Sequence, residues 1–242
     1  MKCPKCRAQV SEGREECPRC GVVFVRYREF LAEMKAESQV RNDNRAWSSF
    51  WGRLMPERVD VNPVSWALRA LLLAVLLVLT ALFVLAPVAS NTAGSSWLHG
   101  VNLVFHEAGH IVFIPLGRTM TVLGGSLMQV LVPLVCCLVL LLRTEDAFGA
   151  VVGLWWAGES LLDVAPYVAD GRVQQLMLLG GVTGRDVPGY HDWNVLLTQW
   201  GLLHQAEALG LGVHVFGAAL CLLALVWGAA VLVREARDLW LD

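Results

Sequence analysis

Charged residues are scarce in this sequence, at 17% of 242 residues, whereas 56% are hydrophobic and the mean hydropathy is +0.53. This shortage excludes an ordinary soluble domain, in which about a quarter of the residues carry charge. The charge is also unevenly placed, because residues 1–65 hold twelve of the nineteen Lys and Arg. Residues 66–242 hold the long apolar runs. The composition therefore predicts a small polar head and a membrane domain at 66–242.

The start of the chain, Met1-Lys2-Cys3-Pro4, has no apolar run behind it, so we expect no cleaved signal peptide. Residues 1–65 hold twelve basic against nine acidic groups, and no Lys or Arg lies between 87 and 97. By the positive-inside rule this predicts a cytoplasmic head on an integral membrane protein. The excess of basic groups is too small to predict a nucleic-acid partner.

Two Cys-x-x-Cys pairs lie in the head: Cys3, Cys6, Cys17 and Cys20. Their spacing can close a tetrahedral thiolate cage around Zn²⁺, and Gly21 can take the positive φ that such a turn needs. The pattern resembles zinc ribbons, so residues 1–23 are predicted to be one, with a structural zinc in place of an apolar core. Disulfides are disfavoured on the reducing side of the membrane. The ribbon can also dock a protein partner.

Residues 24–65 alternate in charge and then become aromatic, which predicts a charged helical stalk and an interfacial linker on the lipid bilayer. The following apolar runs are each long enough for a hydrocarbon core of about 30 Å. We expect about five transmembrane helices, at 70–89, 98–117, 120–142, 147–168 and 213–233. Residues 172–211 are expected to form a segment that re-enters the membrane or lies on its surface. The predicted fold class is an all-α polytopic membrane protein with a small N-terminal zinc-ribbon domain.

The run from Leu98 to Gly117 contains the sequence His106-Glu107-Ala108-Gly109-His110. On a helix the two histidines lie one turn apart on the same face, so both can bind one Zn²⁺ while Glu107 holds a water. A glutamate and two histidines cost several kcal/mol against lipid, so such groups face inward and serve a function. The motif therefore predicts a catalytic zinc site.

A second polar group of residues follows in the predicted span 147–168. Glu159, Asp163 and Asp170 differ by four and seven positions and form one stripe on a continuous helix. Pro166 is expected to unwind the helix there, which a bilayer tolerates only beside protein or a watery cavity. The stripe must therefore face inward. Glu159 is predicted to orient a ligand histidine or line a water path, and the equal alternative is a buried, protonated carboxyl group held by a hydrogen bond.

These motifs and their order resemble the site-2 protease family of intramembrane zinc metalloproteases. That family carries His-Glu-x-x-His on one helix and, on a later one, an Asn-x-x-Pro stretch leading to Asp-Gly, whose aspartate is the third ligand. The resemblance covers a metalloprotease-like core at 98–171. It implies His106 and His110 as metal ligands, Glu107 as the catalytic base, and Asp170 as the third ligand. Asp163 takes the position of the asparagine.

The chain departs from the family pattern in two places. Asp163 stands where the family has asparagine, and the step from Pro166 to Asp170 is one residue shorter than usual. Asp163 therefore remains an alternative third ligand or a partner of one, and His191 is a third candidate because it follows the same helix closely. No motif identifies the residue that stabilises the oxyanion; Asn102, His191 and Arg172 are the candidates, and a structural role is the favoured reading of each.

The resemblance implies an intramembrane zinc metalloprotease that cleaves membrane-protein or peptide substrates near the cytoplasmic side. It would hold one catalytic and one structural Zn²⁺. The alternative is a non-catalytic zinc-binding membrane protein whose cytoplasmic zinc ribbon docks a partner.

Overall fold

The computed structural model describes residues 1–11, 13–55 and 62–240, and within these the regular elements are helices, apart from two isolated β-bridges in the head. The α-helices of this described part are α1 (Phe24–Leu54), α2 (Pro63–Leu85), α3 (Trp97–Val112), α4 (Arg118–Leu142), α5 (Ala147–Asp170), α6 (Asp192–Gln199) and α7 (Ala206–Trp240). The chain divides into two compact units, Met1–Gly52 and Arg53–Asp242. Residues 56–61 of the predicted linker lie outside the described residues. The all-helical class is confirmed for the described part.

Two tight turns with the same backbone pattern form the head. In each, the amide of the residue after the second cysteine donates to the carbonyl of the first: Arg7 to Cys3 and Gly21 to Cys17, both at 2.9 Å. Arg7 and Gly21 have φ of 62° and 66°, which confirms the positive φ expected at Gly21. A small apolar cluster packs against the cysteines, formed by Val10, Val22 and Phe24.

Among the described residues, three helices are long and apolar enough to cross a membrane: α2, α4 and the helical stretch Leu203–Leu239, which includes all of α7 except its last residue. The start of α2 is well defined, because the Asn62 side chain accepts from the Ser65 amide at 2.8 Å and Pro63 occupies the first turn. One face of α2 is exposed and apolar, with Leu68, Leu71, Val75, Val78, Leu82 and Leu85. Such a face is suited to lipid, so these helices fit an integral membrane protein.

Helix α5 packs between α4 and α7, and glycines let the backbones approach closely. A Cβ atom added to Gly153 would lie 2.9 Å from the Cys137 backbone, and one added to Gly158 would lie 2.7 Å from the Cys221 sulfur. Most of α5 is buried in consequence. Its polar residues therefore face protein, as expected for the stripe.

The helix α5 does not unwind at Pro166, contrary to the sequence-based expectation, but continues to Asp170. Helix α7 packs against this turn of α5. A Cβ on Gly210 would lie 2.8 Å from the Ala165 carbonyl oxygen, so the two backbones are in contact there. Packing against α7 holds the turn in place although proline removes one backbone hydrogen bond.

One end of the Arg53–Asp242 unit is rich in arginine, and we call it the basic end. Arg69 near the start of α2 forms ion pairs with Glu235 near the end of α7 and, at 4.0 Å, with Asp146 at the start of α5. Arg53 pairs with Glu145 at 3.4 Å in the same loop. The start of α2, the start of α5 and the end of α7 are therefore at one end.

The opposite end, which we call the site end, gathers the remaining helix termini. His214 near the start of α7 contacts the Val84 carbonyl near the end of α2 at 3.3 Å. Asn194 of α6 donates to the carbonyl of Gly171, just after α5, at 2.8 Å. Gln199 donates to Thr119 at the start of α4 at 2.9 Å.

The direction in which the helices run between these two ends differs from the topology expected from the sequence. Helices α2 and α5 run from the basic end to the site end, and α4 and α7 run back. We expected α3 to cross the bilayer and the loop at Arg143–Asp146 to lie opposite the start of α2. The contact between Arg69 and Asp146 puts that loop at the basic end instead. Between α2 and α4 the chain therefore returns to the end at which α2 finished.

Candidate metal centres

The four cysteines of the head lie together and are free, as the zinc-ribbon prediction requires. The sulfur atoms of Cys3 and Cys20 are 3.7 Å apart, and so are those of Cys6 and Cys17. In a tetrahedral site with Zn–S bonds of about 2.3 Å, two sulfurs are separated by about 3.8 Å. The spacing therefore fits a metal cage, and we refer to these four residues as the head cage.

The thiol groups of the head cage differ in pKa, and their electrostatics are compatible with a bound cation. Burial raises the pKa of the Cys3 thiol, but the amides of Cys6 and Lys5 donate to its sulfur and outweigh burial, so that its pKa falls to about 6. The Val22 amide lowers the pKa of Cys20, yet burial and the three neighbouring sulfurs raise it to about 12. A metal ion bound between the four sulfurs would offset the repulsion among four thiolates.

A second group of possible metal ligands lies in the Arg53–Asp242 unit and consists of His106, His110 and Asp192. We call it the membrane metal site. The Nε2 atom of His106 is 3.2 Å from Asp192 Oδ2, and the Nε2 atom of His110 is 3.3 Å from the same oxygen. Ligand atoms at about 2.0–2.1 Å from a tetrahedral Zn²⁺ are about 3.3 Å apart. The distances therefore suit zinc as well as direct hydrogen bonds.

The other ring nitrogens show which tautomer the site favours. His106 Nδ1 lies 3.2 Å from Gln129 Oε1, and His110 Nδ1 lies 2.8 Å from the Thr121 carbonyl oxygen. Both partners are acceptors, so each Nδ1 carries the proton and donates it. Both Nε2 atoms lie toward Asp192, and an imidazole with its proton on Nδ1 would offer the Nε2 lone pair to a metal ion bound there. This is how proteins orient histidine ligands toward a metal.

The carboxylate of Asp192 is suited to the same role. Burial raises its pKa, but hydrogen bonds with His106 and His110 outweigh that effect and lower the pKa to about 2. Its backbone amide donates to the Tyr167 hydroxyl oxygen at 2.8 Å. The residue is therefore ionised and held at the start of α6, facing both imidazoles.

Gly125 of α4 leaves an open space at the membrane metal site. A Cβ on Gly125 would lie 2.5 Å from His106 Nε2 and 2.7 Å from His110 Nε2. Helices α3 and α4 are in contact at the neighbouring residues, since a Cβ on Gly109 would lie 2.1 Å from the Gly124 carbonyl oxygen. The space in front of the two Nε2 atoms therefore exists only because residue 125 has no side chain.

The membrane metal site opens into a cavity of about 680 Å³. Its wall includes Glu107, the residue next to His106, and also Tyr167. The Tyr167 ring centroid lies 6.0 Å from that of His106 and 4.3 Å from that of His191. The predicted base thus shares one cavity with the predicted histidine ligands.

Glu159 and Asp163 lie behind the histidines in a buried hydrogen-bond network. Gln129 Nε2 donates to Asp163 Oδ2 at 2.9 Å, so this amide joins Asp163 to His106. Asn102 Nδ2 donates to both Glu159 and Asp163 at 3.0 Å. The other side of Asp163 contacts His99 Nδ1 at 2.9 Å. This network holds Gln129 in the orientation in which its carbonyl faces His106.

Asp170 and His191, the other candidate ligands from the sequence, pair with each other at 3.3 Å. Asp170 also accepts from the amides of Gln175 and Leu176, both at 2.9 Å. The Nδ1 atom of His191 accepts from the Asn194 amide at 3.2 Å and caps α6. These contacts shape the chain between α5 and α6 and leave Asp192 as the third member of the membrane metal site.

Sequence reasoning missed Asp192, Gln129, Tyr167 and Gly125. A signal was present for Asp192, because it directly follows the candidate His191 and opens a short helix. Gly125 follows Gly124 in an apolar helix, which is a pattern typical of close helix packing. The partner of each residue lies on another helix, so only the fold identifies it.

Comparisons with protein-family models, curated proteins and solved structures found no match for this chain.

Proposed function

We propose that the Arg53–Asp242 unit is a zinc-dependent peptidase that hydrolyses peptide bonds within the membrane. The observation that carries the proposal is the convergence of His106, His110 and Asp192 beside a cavity that also contains Glu107. Three protein ligands and an open position are typical of catalytic zinc sites, whereas four ligands are typical of structural ones. The head cage is of the second kind, and we propose a structural zinc in a zinc ribbon there.

A zinc ion bound at the membrane metal site supplies a Lewis acid and lowers the pKa of a water molecule to about 7. Glu107 accepts a proton from the water as it attacks the peptide carbonyl, and then returns that proton to the leaving nitrogen. The contacts of His106 Nδ1 with Gln129 and of His110 Nδ1 with Thr121 hold both rings with Nε2 toward the position that the metal would take.

Tyr167 is the residue that we propose for stabilising the developing negative charge. Its hydroxyl oxygen accepts from the Asp192 amide, and in the cavity wall its hydrogen can be donated to the Asp192 carboxylate or to a bound carbonyl oxygen. A carbonyl oxygen that gains negative charge during attack is stabilised by such a fixed donor. We propose this role for Tyr167, in place of the candidates taken from the sequence, Asn102, His191 and Arg172.

The proposed substrate is an unwound segment of a membrane protein or a membrane-inserted peptide. Carbonyl groups in a helix are bonded internally, and a helix with side chains is about 10–12 Å across. A cavity of about 680 Å³ suits an extended stretch better than an intact helix. Hydrolysis therefore requires local unwinding before the peptide bond reaches Glu107.

The order of the two polar motifs supports membership of the site-2 protease family, and this assignment is part of the proposal. The third ligand departs from that family. We propose Asp192, at the start of α6, in place of the aspartate that the family carries before glycine. In this chain the corresponding Asp170 binds the backbone after α5.

The test uses the purified full chain in detergent and a library of unstructured peptides whose cleavage is read by mass spectrometry. We expect Glu107→Gln to keep its zinc and to lose cleavage by about a hundredfold or more, because the base is removed without disturbing a ligand. Glu207→Gln, which alters an exposed ion pair with Arg172, is the matched control and should cleave normally.

Equal cleavage by the wild type and Glu107→Gln would refute the peptidase. The protein would then fit the alternative function, a non-catalytic zinc-binding membrane protein whose head docks a partner. In that case changes to the head cage should remove the cellular phenotype, while Glu107→Gln should leave it intact.

A further inference from the structure

We infer that the membrane metal site opens on the non-cytoplasmic face of the membrane, so that its substrates are peptide segments in the outer leaflet or outside it. The orientation follows from the arrangement of the helix ends and stands without any catalytic activity. The substrate class rests on the proposed peptidase. It replaces the sequence-based expectation of cleavage near the cytoplasmic side.

The membrane metal site lies close to the site end. His110 bonds to the carbonyl of Thr121 in the first turn of α4, and Asp192 opens α6. Gly125, which faces both Nε2 atoms, is seven residues after Arg118. At 1.5 Å per residue the metal position is therefore about 10 Å from that end of α4.

The cavity beside the membrane metal site also lies toward the site end. Besides the ligands, it is lined by Asn91 and Ser95 from the connection that follows α2, and by Gly180 and Tyr190 from the chain between α5 and α6. Both connections begin at the site end, where α2 and α5 finish. A substrate segment therefore approaches from the site end and not from the basic end.

The distribution of arginine assigns the two ends to compartments. Within the described part of the Arg53–Asp242 unit, the basic end holds five arginines: Arg53, Arg69, Arg143, Arg234 and Arg237. The site end holds three: Arg118, Arg172 and Arg185. Lys and Arg concentrate on the cytoplasmic side of membrane proteins, near the ends of the spans. The basic end is therefore cytoplasmic.

A further observation agrees with this orientation. The start of this unit and the described end of α7 both lie at the basic end, so that Arg53, Arg234 and Arg237 fall on one side of the membrane, as the charge rule favours.

The chain between α5 and α6 is suited to an outer membrane surface. Met177 and Leu179 expose 70% and 50% of their surface although they belong to an apolar stretch. Gly180 and Gly181 follow with positive φ, so the chain turns sharply there. Exposed apolar groups on such a turn insert at the boundary between headgroups and acyl chains. Substrate segments at the same depth lie beside the cavity.

The orientation is tested by labelling in intact cells that produce the full chain. Val187→Cys marks the site end, and Thr144→Cys marks the basic end; both residues are exposed. The wild type, with its own seven cysteines, is the blank. A membrane-impermeant maleimide is applied before and after permeabilisation, and labelling in denaturant shows that each variant is present in the same amount.

We expect Val187→Cys to react in intact cells and Thr144→Cys to react only after permeabilisation. The reverse pattern, or reaction of both variants in intact cells, would overturn the inference. So would a failure of Val187→Cys to react until the cells are opened. Because this readout does not depend on cleavage, an inactive protein would refute the proposed peptidase and leave the orientation standing.

Discussion

Gly125 of α4 lies directly in front of His106, so that a single methyl group at residue 125 would come within 2.5 Å of the histidine Nε2 atom. The same methyl group would lie 2.7 Å from His110 Nε2. These two nitrogen atoms are the ones that face Asp192. The glycine therefore maintains the space in which a metal ion can contact all three ligands.

We predict that Gly125→Ala removes zinc from the membrane metal site. The added Cβ occupies the space in front of both Nε2 atoms, and relief of the clash would have to separate α3 from α4, which pack in direct contact at Gly109 and Gly124. Metal analysis of the purified protein should give about one zinc per chain instead of two, the head cage remaining loaded. Gly100→Ala is the control, since nothing lies within 4 Å of its Cβ. Two zinc ions in Gly125→Ala would contradict the prediction.

The third ligand is tested by comparing Asp192→Asn with Asp170→Asn. We predict that Asp192→Asn loses zinc from the membrane metal site, because a neutral amide replaces the carboxylate that contacts both histidines. Asp170→Asn should retain this zinc, although it weakens the hydrogen bonds to the Gln175 and Leu176 amides. Titration with a chelator measures both variants. The opposite result would identify Asp170 as the ligand and refute the role of Asp192.

Gln129 is predicted to act on zinc affinity through His106. Gln129→Leu removes the acceptor of the His106 Nδ1 proton and leaves Asp163 without one of its donors. Loss of such a supporting hydrogen bond typically lowers metal affinity by about 10–100-fold, and chelator competition should detect that change. Gln199→Leu, which removes an exposed contact with Thr119, is the control. Equal affinities in the two variants would show that Gln129 does not orient the ligand.

Tyr167 is predicted to affect the rate of cleavage and not the binding of zinc. Tyr167→Phe should lower kcat by about 10²–10³-fold, the usual effect of removing one donor to an oxyanion, with KM and zinc content nearly unchanged. Tyr190→Phe is a matched control, because this tyrosine lines the same cavity but donates to the Leu179 carbonyl. Loss of zinc from Tyr167→Phe would instead assign the tyrosine to positioning Asp192.

Local spacing explains what could be predicted without the fold. Residues four apart on a helix share a face, so the pairing of His106 with His110 followed from the sequence. The four cysteines lie within a short segment, so their proximity also followed, and the structure confirms it. The role of Glu107 stays a prediction, because its place in the cavity wall agrees with a base but does not test one.

The remaining features depend on how the helices are arranged. Asp192 is 86 residues from His106 in sequence, and its position depends on where α5 ends and how the chain returns through Asp170 and His191. The spacing of Asp170 resembled a family motif, but its contacts are with the backbone that follows α5. Spacing alone does not distinguish these two aspartates.

A head with four clustered cysteines, long apolar helices and two imidazoles on one helix face follow from the order of the residues alone, since each of these depends on neighbouring residues. The carboxylate that joins the imidazoles, and the end of the helices at which they lie, follow only from the fold. The contact between Arg69 and Asp146 reverses the expected course of the chain between α2 and α5. An apolar run shows that a helix can cross a bilayer, whereas contacts between helices decide where each one begins.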